Sequence, residues 1–216
     1  ALSSNRFRPG SIDHHNVQLA IMAVLAACLI QSPARAKLHG VAGFCAALAI
    51  AIGAETTPLI AVACGIVAVN WFWYGERARG ATLAFGVTLA IALTGFFYLT
   101  IPPVRYGVVV CDALSLGYYA LGIVGAGGLS LAAATVSGQP RAVRLGALAA
   151  VGIATALAAL WIAPQCVSNP LDSLDPLLKA IDETSALPLC GAISCATPYN
   201  ASAAAHRPPA PVPAAA

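Results

Sequence analysis

Charge is what this chain has least of. Asp, Glu, Lys and Arg make up 9% of its 216 residues against 59% hydrophobic, and mean hydropathy is +0.82. That shortage excludes an ordinary soluble domain, in which about 25% of residues are charged; an integral membrane protein is expected. A basic excess is lacking too. The net charge of +3 is small and evenly spread, so no nucleic-acid partner is expected. The seven cysteines include no Cys-x-x-Cys pair, which argues against a Cys₄ zinc site. No cleavable signal stands before the first apolar run, and position 1 is Ala rather than Met. The chain is therefore expected to be a fragment or trimmed, with room for a catalytic residue ahead of Ala1.

Apolar sequence is what the chain has in abundance. Runs at about 16–32, 38–54, 56–74, 81–101, 115–135 and 145–163 approach or reach the ~17–25 residues that cross a bilayer. The second and third are parted by Gly53-Ala54-Glu55-Thr56-Thr57-Pro58, where Gly, acid and Pro favour a tight helical hairpin over one long helix. The expected fold is all-α. Residues 1–163 form a polytopic bundle of about six transmembrane helices, 164–195 a short extracytoplasmic segment, and 196–216 a disordered Ala/Pro-rich tail. Gly, Ala and Ser within the spans allow close helix approach in lipid.

Orientation follows from the basic residues. Arg35 and Lys37, Arg77 and Arg79, and Arg141 and Arg144 occupy alternate loops, which the positive-inside rule makes cytoplasmic. Trp71-Phe72-Trp73-Tyr74 is then expected to anchor the chain at that interface. The acids show the opposite bias: Asp13, Glu55, Asp112, Asp172, Asp175, Asp182 and Glu183 fall outside, and only Glu76 inside. Acids contribute little to topology. A larger share of loop outside is one explanation of the bias; a bound cation is another. Asp13 and Glu55 lie at membrane ends, where an ionised carboxylate is costly and usually functional.

The stretch Ser11-Ile12-Asp13-His14-His15-Asn16-Val17-Gln18 places an acid and two imidazoles at the threshold of the first run. Asp13 and His15, two apart in an extended or turn segment, can project to one side and share a cation. A mixed oxygen and imidazole shell suits Mn²⁺, Mg²⁺ or Zn²⁺. Asp13 can equally cap the helix that begins near His14, and the two roles can coexist. Arg105, alone among basic residues in the outer inter-helix loops, can fork onto phosphate, pair with a lipid head group or meet a nearby acid.

Past Ala163 the chain leaves the apolar regime. Leu174, Leu177, Leu178 and Ile181 fall at helical spacing, so a short amphipathic helix is expected over Ser173–Glu183. Cys28, Cys45 and Cys64 lie within spans and are expected to act as small packing residues. Cys111, Cys166, Cys190 and Cys195 are disulfide candidates on the oxidising side. Connectivity cannot be read from sequence; Cys111–Cys166 with Cys190–Cys195 is one possibility.

Asp13-His14-His15 opening an apolar helix resembles the second acidic motif of the C-type glycosyltransferases, above all the catalytic subunit of archaeal oligosaccharyltransferases. Ala180-Ile181-Asp182-Glu183-Thr184-Ser185-Ala186 is similar to that family's outer-loop motif, with its functional Glu. From Arg6 to Pro188 the chain also resembles related bacterial multi-pass proteins. The shared features are Arg6-Phe7-Arg8-Pro9-Gly10-Ser11-Ile12-Asp13-His14-His15-Asn16-Val17-Gln18, Cys111-Asp112-Ala113-Leu114-Ser115, and Leu174-Asp175-Pro176-Leu177 leading to a Glu.

The resemblance implies a divalent-metal enzyme (Mn or Mg). It would move sugar from a polyprenyl-phosphate-linked donor to a lipid or glycan acceptor at the extracytoplasmic face, the expected location being a bacterial inner membrane with the site on the periplasmic side. By it, Asp13, His15 and Glu183 are metal ligands, and Asp13 and Glu183 the catalytic carboxylates. Arg105, His14, Asp112 and Glu55 are assigned to the substrate from charge and position. The family's first acidic motif is missing before Asp13, and its Trp-Trp-Asp acceptor motif is absent, which argues against peptide N-glycosylation. The chain is accordingly expected to be a partial, and in isolation inactive, enzyme. The alternative is a non-enzymatic membrane subunit or transporter-like module, with Glu55 and Asp112 lining a path.

Overall fold

The computed structural model describes residues 14–32 and 35–168, and no strand occurs among the described residues. Six main helices follow one another: α1 (His14–Leu29), α2 (Ala36–Ile52), α3 (Thr57–Tyr74), α4 (Glu76–Thr100), α5 (Leu116–Val136) and α6 (Arg141–Ile162). A short α7 (Pro164–Ser168) closes the described chain. Two 3₁₀ turns, Ala54–Thr56 and Pro103–Arg105, sit in the connections. Four elements, Ala54–Tyr74, Glu76–Thr100, Leu116–Val136 and Arg141–Ile162, are long and apolar enough to cross a membrane. α1 and α2 are apolar but shorter.

Local chemistry sets the helix limits. Pro58 falls in the first turn of α3, where its missing N–H removes no intrahelical bond. One residue, Gly75, parts α3 from α4. Its φ of +54° is a left-handed conformation that side chains disfavour, and a Cβ there would strike the Arg144 guanidinium. α4 and α6 begin several residues before their apolar runs and take in Arg77, Arg79, Arg141 and Arg144. Long cationic side chains permit this, because the aliphatic stem lies along the helix while the head reaches a polar partner.

α4 is the central helix. Phe85, Leu89, Leu93 and Phe97 recur every fourth residue along one buried stripe. α2 meets α4 with a face of small residues, Ala42, Gly43, Ala46 and Ala49. A Cβ on Gly43 would collide with the Phe85 carbonyl, so glycine there sets how near the two backbones come. α1 packs on the other side of α2, α5 on α4, and α6 on α5. α3 packs mainly on α4 and only lightly on α5 and α6. The gap so left is an apolar cavity of about 580 Å³ between α3, α5 and α6.

The two ends of the bundle differ in their polar groups. At the end bearing Arg77, Arg79, Arg141 and Arg144 (the basic end), Trp71 is 0% exposed and donates through Nε1 to Ser137 Oγ at 2.8 Å. Ser137 in turn donates to the Ala133 carbonyl. Arg144, 8% exposed, donates to the Trp71 carbonyl at 3.1 Å, which also accepts the Gly75 N–H at 2.8 Å. Arg141 lies over the Trp73 ring, 5.1 Å from its centroid. The expectation of a four-residue anchor is thus corrected. Trp71 continues the inward row Ile60, Ala63, Val67, whereas Trp73 and Tyr74 are about half exposed.

Candidate functional site at the acidic end

The opposite end collects the N-terminus of α1, the α2–α3 turn and the α4–α5 loop. His15 Nε2 stands 3.0 Å from Glu55 Oε2. The contact is an ion pair when the imidazole is protonated and a hydrogen bond when it is neutral and carries its proton on Nε2. Both groups remain reachable, with side-chain exposures of 34% for His15 and 59% for Glu55. Three residues on, and therefore on the same face of α1, Gln18 is 3% exposed and donates through Nε2 to the Gly53 carbonyl at 3.2 Å. A Cβ on Gly53 would press on that amide. Two side chains of α1 thus hold the Gly53–Thr56 turn and fix where Glu55 points.

A second element grips the turn from the loop side. Ala54 donates its backbone N–H to the Asp112 carbonyl at 3.4 Å. Cys111, next to Asp112, is bonded to Cys166 in α7, with Cα atoms 5.4 Å apart. Tyr118 donates its hydroxyl to the Cys111 carbonyl at 2.7 Å, and Ser115 Oγ to the Val110 carbonyl at 2.8 Å. Close by in the chain, Phe97 stacks on Tyr119 and Tyr106, with centroids at 4.4 and 5.4 Å, and Tyr98 meets Tyr106 edge-on. These rings give a loop with little regular structure a firm base.

Glu55, Asp112 and Arg105 present exposed charged groups. Neither the Arg105 nor the Asp112 side chain makes an ion pair among the described residues. Beside Glu55, the hydroxyls of Thr56 and Thr57 are buried and have no hydrogen-bond partner among the described residues.

Of the residues singled out from sequence, the fold joins His15 to Glu55 and brings the Asp112 backbone to the same turn. It pairs Cys111 with Cys166. Asp13, Glu183, Cys190, Cys195 and the Ser173–Glu183 helix lie outside the described residues, and of His14 only the helical backbone is described. Gln18, Thr56, Thr57 and Tyr118 were not assigned a role. Only Gln18 carried a signal, its i+3 spacing from His15.

His15 and Glu55 offer a nitrogen and an oxygen donor, a mixed set that suits Mn²⁺ or Mg²⁺ at least as well as softer ions. Among the described residues no three His, Cys, Asp or Glu side chains converge on one point. A cation at this corner therefore requires a further carboxylate, and Asp13 is the nearest in sequence.

No protein-family model matches this chain, and no curated protein or solved structure matches it.

Proposed function

We propose that this chain is a polytopic membrane glycosyltransferase of the C-type class, or a piece of one. In this reading it takes sugar from a polyprenyl-phosphate-linked donor and passes it to a lipid or glycan acceptor on the extracytoplasmic side. The observation that carries the reading is the His15–Glu55 contact: the imidazole of the Asp13-His14-His15 motif rests against a carboxylate at a membrane end, on a turn held from two sides. The Cys111–Cys166 bond supports assigning that end to an oxidising compartment.

Each residue then has a defined task. Asp13, His15 and Glu183 would hold a divalent cation, Mn²⁺ or Mg²⁺, which when bound supplies Lewis acidity to the departing phosphate and a template for the donor. Glu55 orients the His15 ring through Nε2, as carboxylates behind ligating histidines do, or itself enters the ligand set. Gln18 keeps the Glu55 turn against α1. Arg105 presents a planar guanidinium that can fork onto a phosphate. His14 and Asp112 remain available to sugar hydroxyls.

The test uses the full chain in proteoliposomes with a polyprenyl-phosphate sugar donor and Mn²⁺. Asp13→Ala and His15→Ala are expected to abolish transfer and to weaken Mn²⁺ binding at least tenfold, the usual minimum for loss of a neighbouring group being 10–100-fold. Unchanged transfer in both variants would sink the reading. Solute or ion flux that is disturbed by Glu55→Gln yet indifferent to Asp13→Ala would move the chain to the non-enzymatic class.

A further inference from the structure

The cavity between α3, α5 and α6 has no part in the chemistry above, and its shape is specific. Its lining runs from Thr57 to Ala68 on α3, from Tyr118 to Leu129 on α5 and from Leu148 to Ala159 on α6. The ends of each stretch are eleven residues apart, or about 16 Å at 1.5 Å per residue, roughly half of a ~30 Å hydrocarbon core. The cavity is therefore about as long as one leaflet is thick. It begins at the acidic end, because Thr57 follows Glu55 by two residues and Tyr118 bonds the carbonyl beside Asp112.

Polarity is confined almost wholly to that mouth. There the buried Thr57 hydroxyl lacks a partner among the described residues, and the neighbouring carboxylates are the exposed Glu55, 3.0 Å from His15, and the exposed Asp112. No basic residue lines the cavity among the described residues. Lower down, two glycines leave the space open: a Cβ on Gly65 or Gly152 would meet no atom within 4 Å. These two do not bring described helices together, in contrast to Gly43. At about 580 Å³ the cavity falls in the range of small-molecule sites, about 300–1,000 Å³, with the usual apolar walls and a few polar groups at one point.

We infer that this groove binds one acyl chain of an amine-bearing phospholipid from the leaflet on the acidic side, with the ammonium of its head group at the Glu55/Asp112 rim. Walls on helices apolar enough to span a membrane make hydrocarbon the natural filling. The single polar end sets the direction of entry. Neither rim carboxylate meets a Lys or Arg among the described residues, which favours an ammonium over an anionic head group at the edge of a low-dielectric region. The rim shares Glu55 and Asp112 with the site above, whereas the apolar groove beneath it does not depend on the glycosyltransferase reading.

The experiment places the full chain in vesicles containing phosphatidylethanolamine with a photoactivatable diazirine in one acyl chain, and in matched phosphatidylglycerol vesicles. Labelled peptides are mapped by mass spectrometry. Labelling at Leu121, Thr155 and Ala156 is expected to exceed that at the open positions Ile91 and Leu160 at least fivefold with the ethanolamine lipid. Gly65→Leu and Gly152→Leu, each with its Cβ in open space, put bulk into the groove and are expected to bring groove labelling down to the open-face level. Gly95→Leu and Gly127→Leu also place a Cβ in open space but lie outside the groove, and are expected to leave it unchanged. Combined Glu55→Gln and Asp112→Asn should erase the preference for ethanolamine over glycerol. The inference is overturned by equal labelling of groove and open faces, by labelling that survives both leucines, or by groove labelling as strong with phosphatidylglycerol. Groove peptides shielded from both lipids, with cross-links to another copy of the chain, would also overturn it and assign the groove to a helix.

Discussion

The two ends of the bundle use polar groups in opposite ways. At the basic end, Trp71, Ser137 and Arg144 are buried and bonded chiefly to one another and to helix carbonyls, with only Arg144 Nε lacking a partner among the described residues. At the acidic end, Gln18 and the backbone of Asp112 do the holding, while the carboxylates of Glu55 and Asp112 stay exposed and two threonine hydroxyls lack partners among the described residues. One end uses its hydrogen-bonding capacity to close the bundle. The other keeps some in reserve, as a site must, since a ligand can bind only groups that the fold has not already satisfied.

The largest effect is expected where closure is tightest. Arg144→Ala removes the buried donor that serves the Trp71 carbonyl and leaves a void beside Gly75; a loss of about 3 kcal/mol is expected. Gly75→Ala forces a side chain into a left-handed position against the same guanidinium and is expected to be of similar severity. Thermal unfolding in detergent, with and without each change, measures both. If either variant were as stable as the parent, the closed character of the basic end would be refuted.

Next comes the covalent tie at the acidic end. Cys111→Ser is expected to lower stability by about 2–4 kcal/mol, the ordinary range for a disulfide closing a loop of this size. Trp71→Phe removes one neutral hydrogen bond from the basic end while keeping most of the ring; a loss of about 1 kcal/mol is expected. The smallest effects belong to the site. His15→Ala and Glu55→Gln break an exposed pair and should shift stability by less than about 1 kcal/mol, even where they abolish transfer. A larger loss would mean that the corner is structural and would erase the contrast between the ends.

Much of the helical layout was legible in the residues. The apolar runs at 16–32, 38–54 and 115–135 lie within a few positions of α1, α2 and α5, because continuous hydrophobicity and its interruption at Gly53–Pro58 suffice to mark them. The early starts of α4 and α6 were not legible. A hydropathy window discounts arginine, although the arginine stem is compatible with an apolar helix surface. Trp71 was misread for a related reason: composition grouped it with Trp73 and Tyr74, whereas helical period groups it with Val67 and Ala63.

Less of the candidate site was open to such reading. Asp13-His14-His15 announced itself by composition, but the partner of His15 among the described residues, Glu55, sits forty positions away in sequence. No local rule pairs them; only the packing of α1 against α2 and the turn beyond does. The groove is harder still to foresee. It arises because α3 packs on α4 but only lightly on α5 and α6, a relation that no single segment encodes.

The position of Cys166 has a consequence for biogenesis. Cys111 precedes α5 and Cys166 follows α6, so the two sulfurs meet only after the chain has run to the far end of the bundle and returned. In a bilayer, a chain whose α6 failed to insert would leave those thiols in different compartments. Resistance of Cys166 to alkylation would thus serve as a stamp of completed insertion, readable on a gel without purifying the protein.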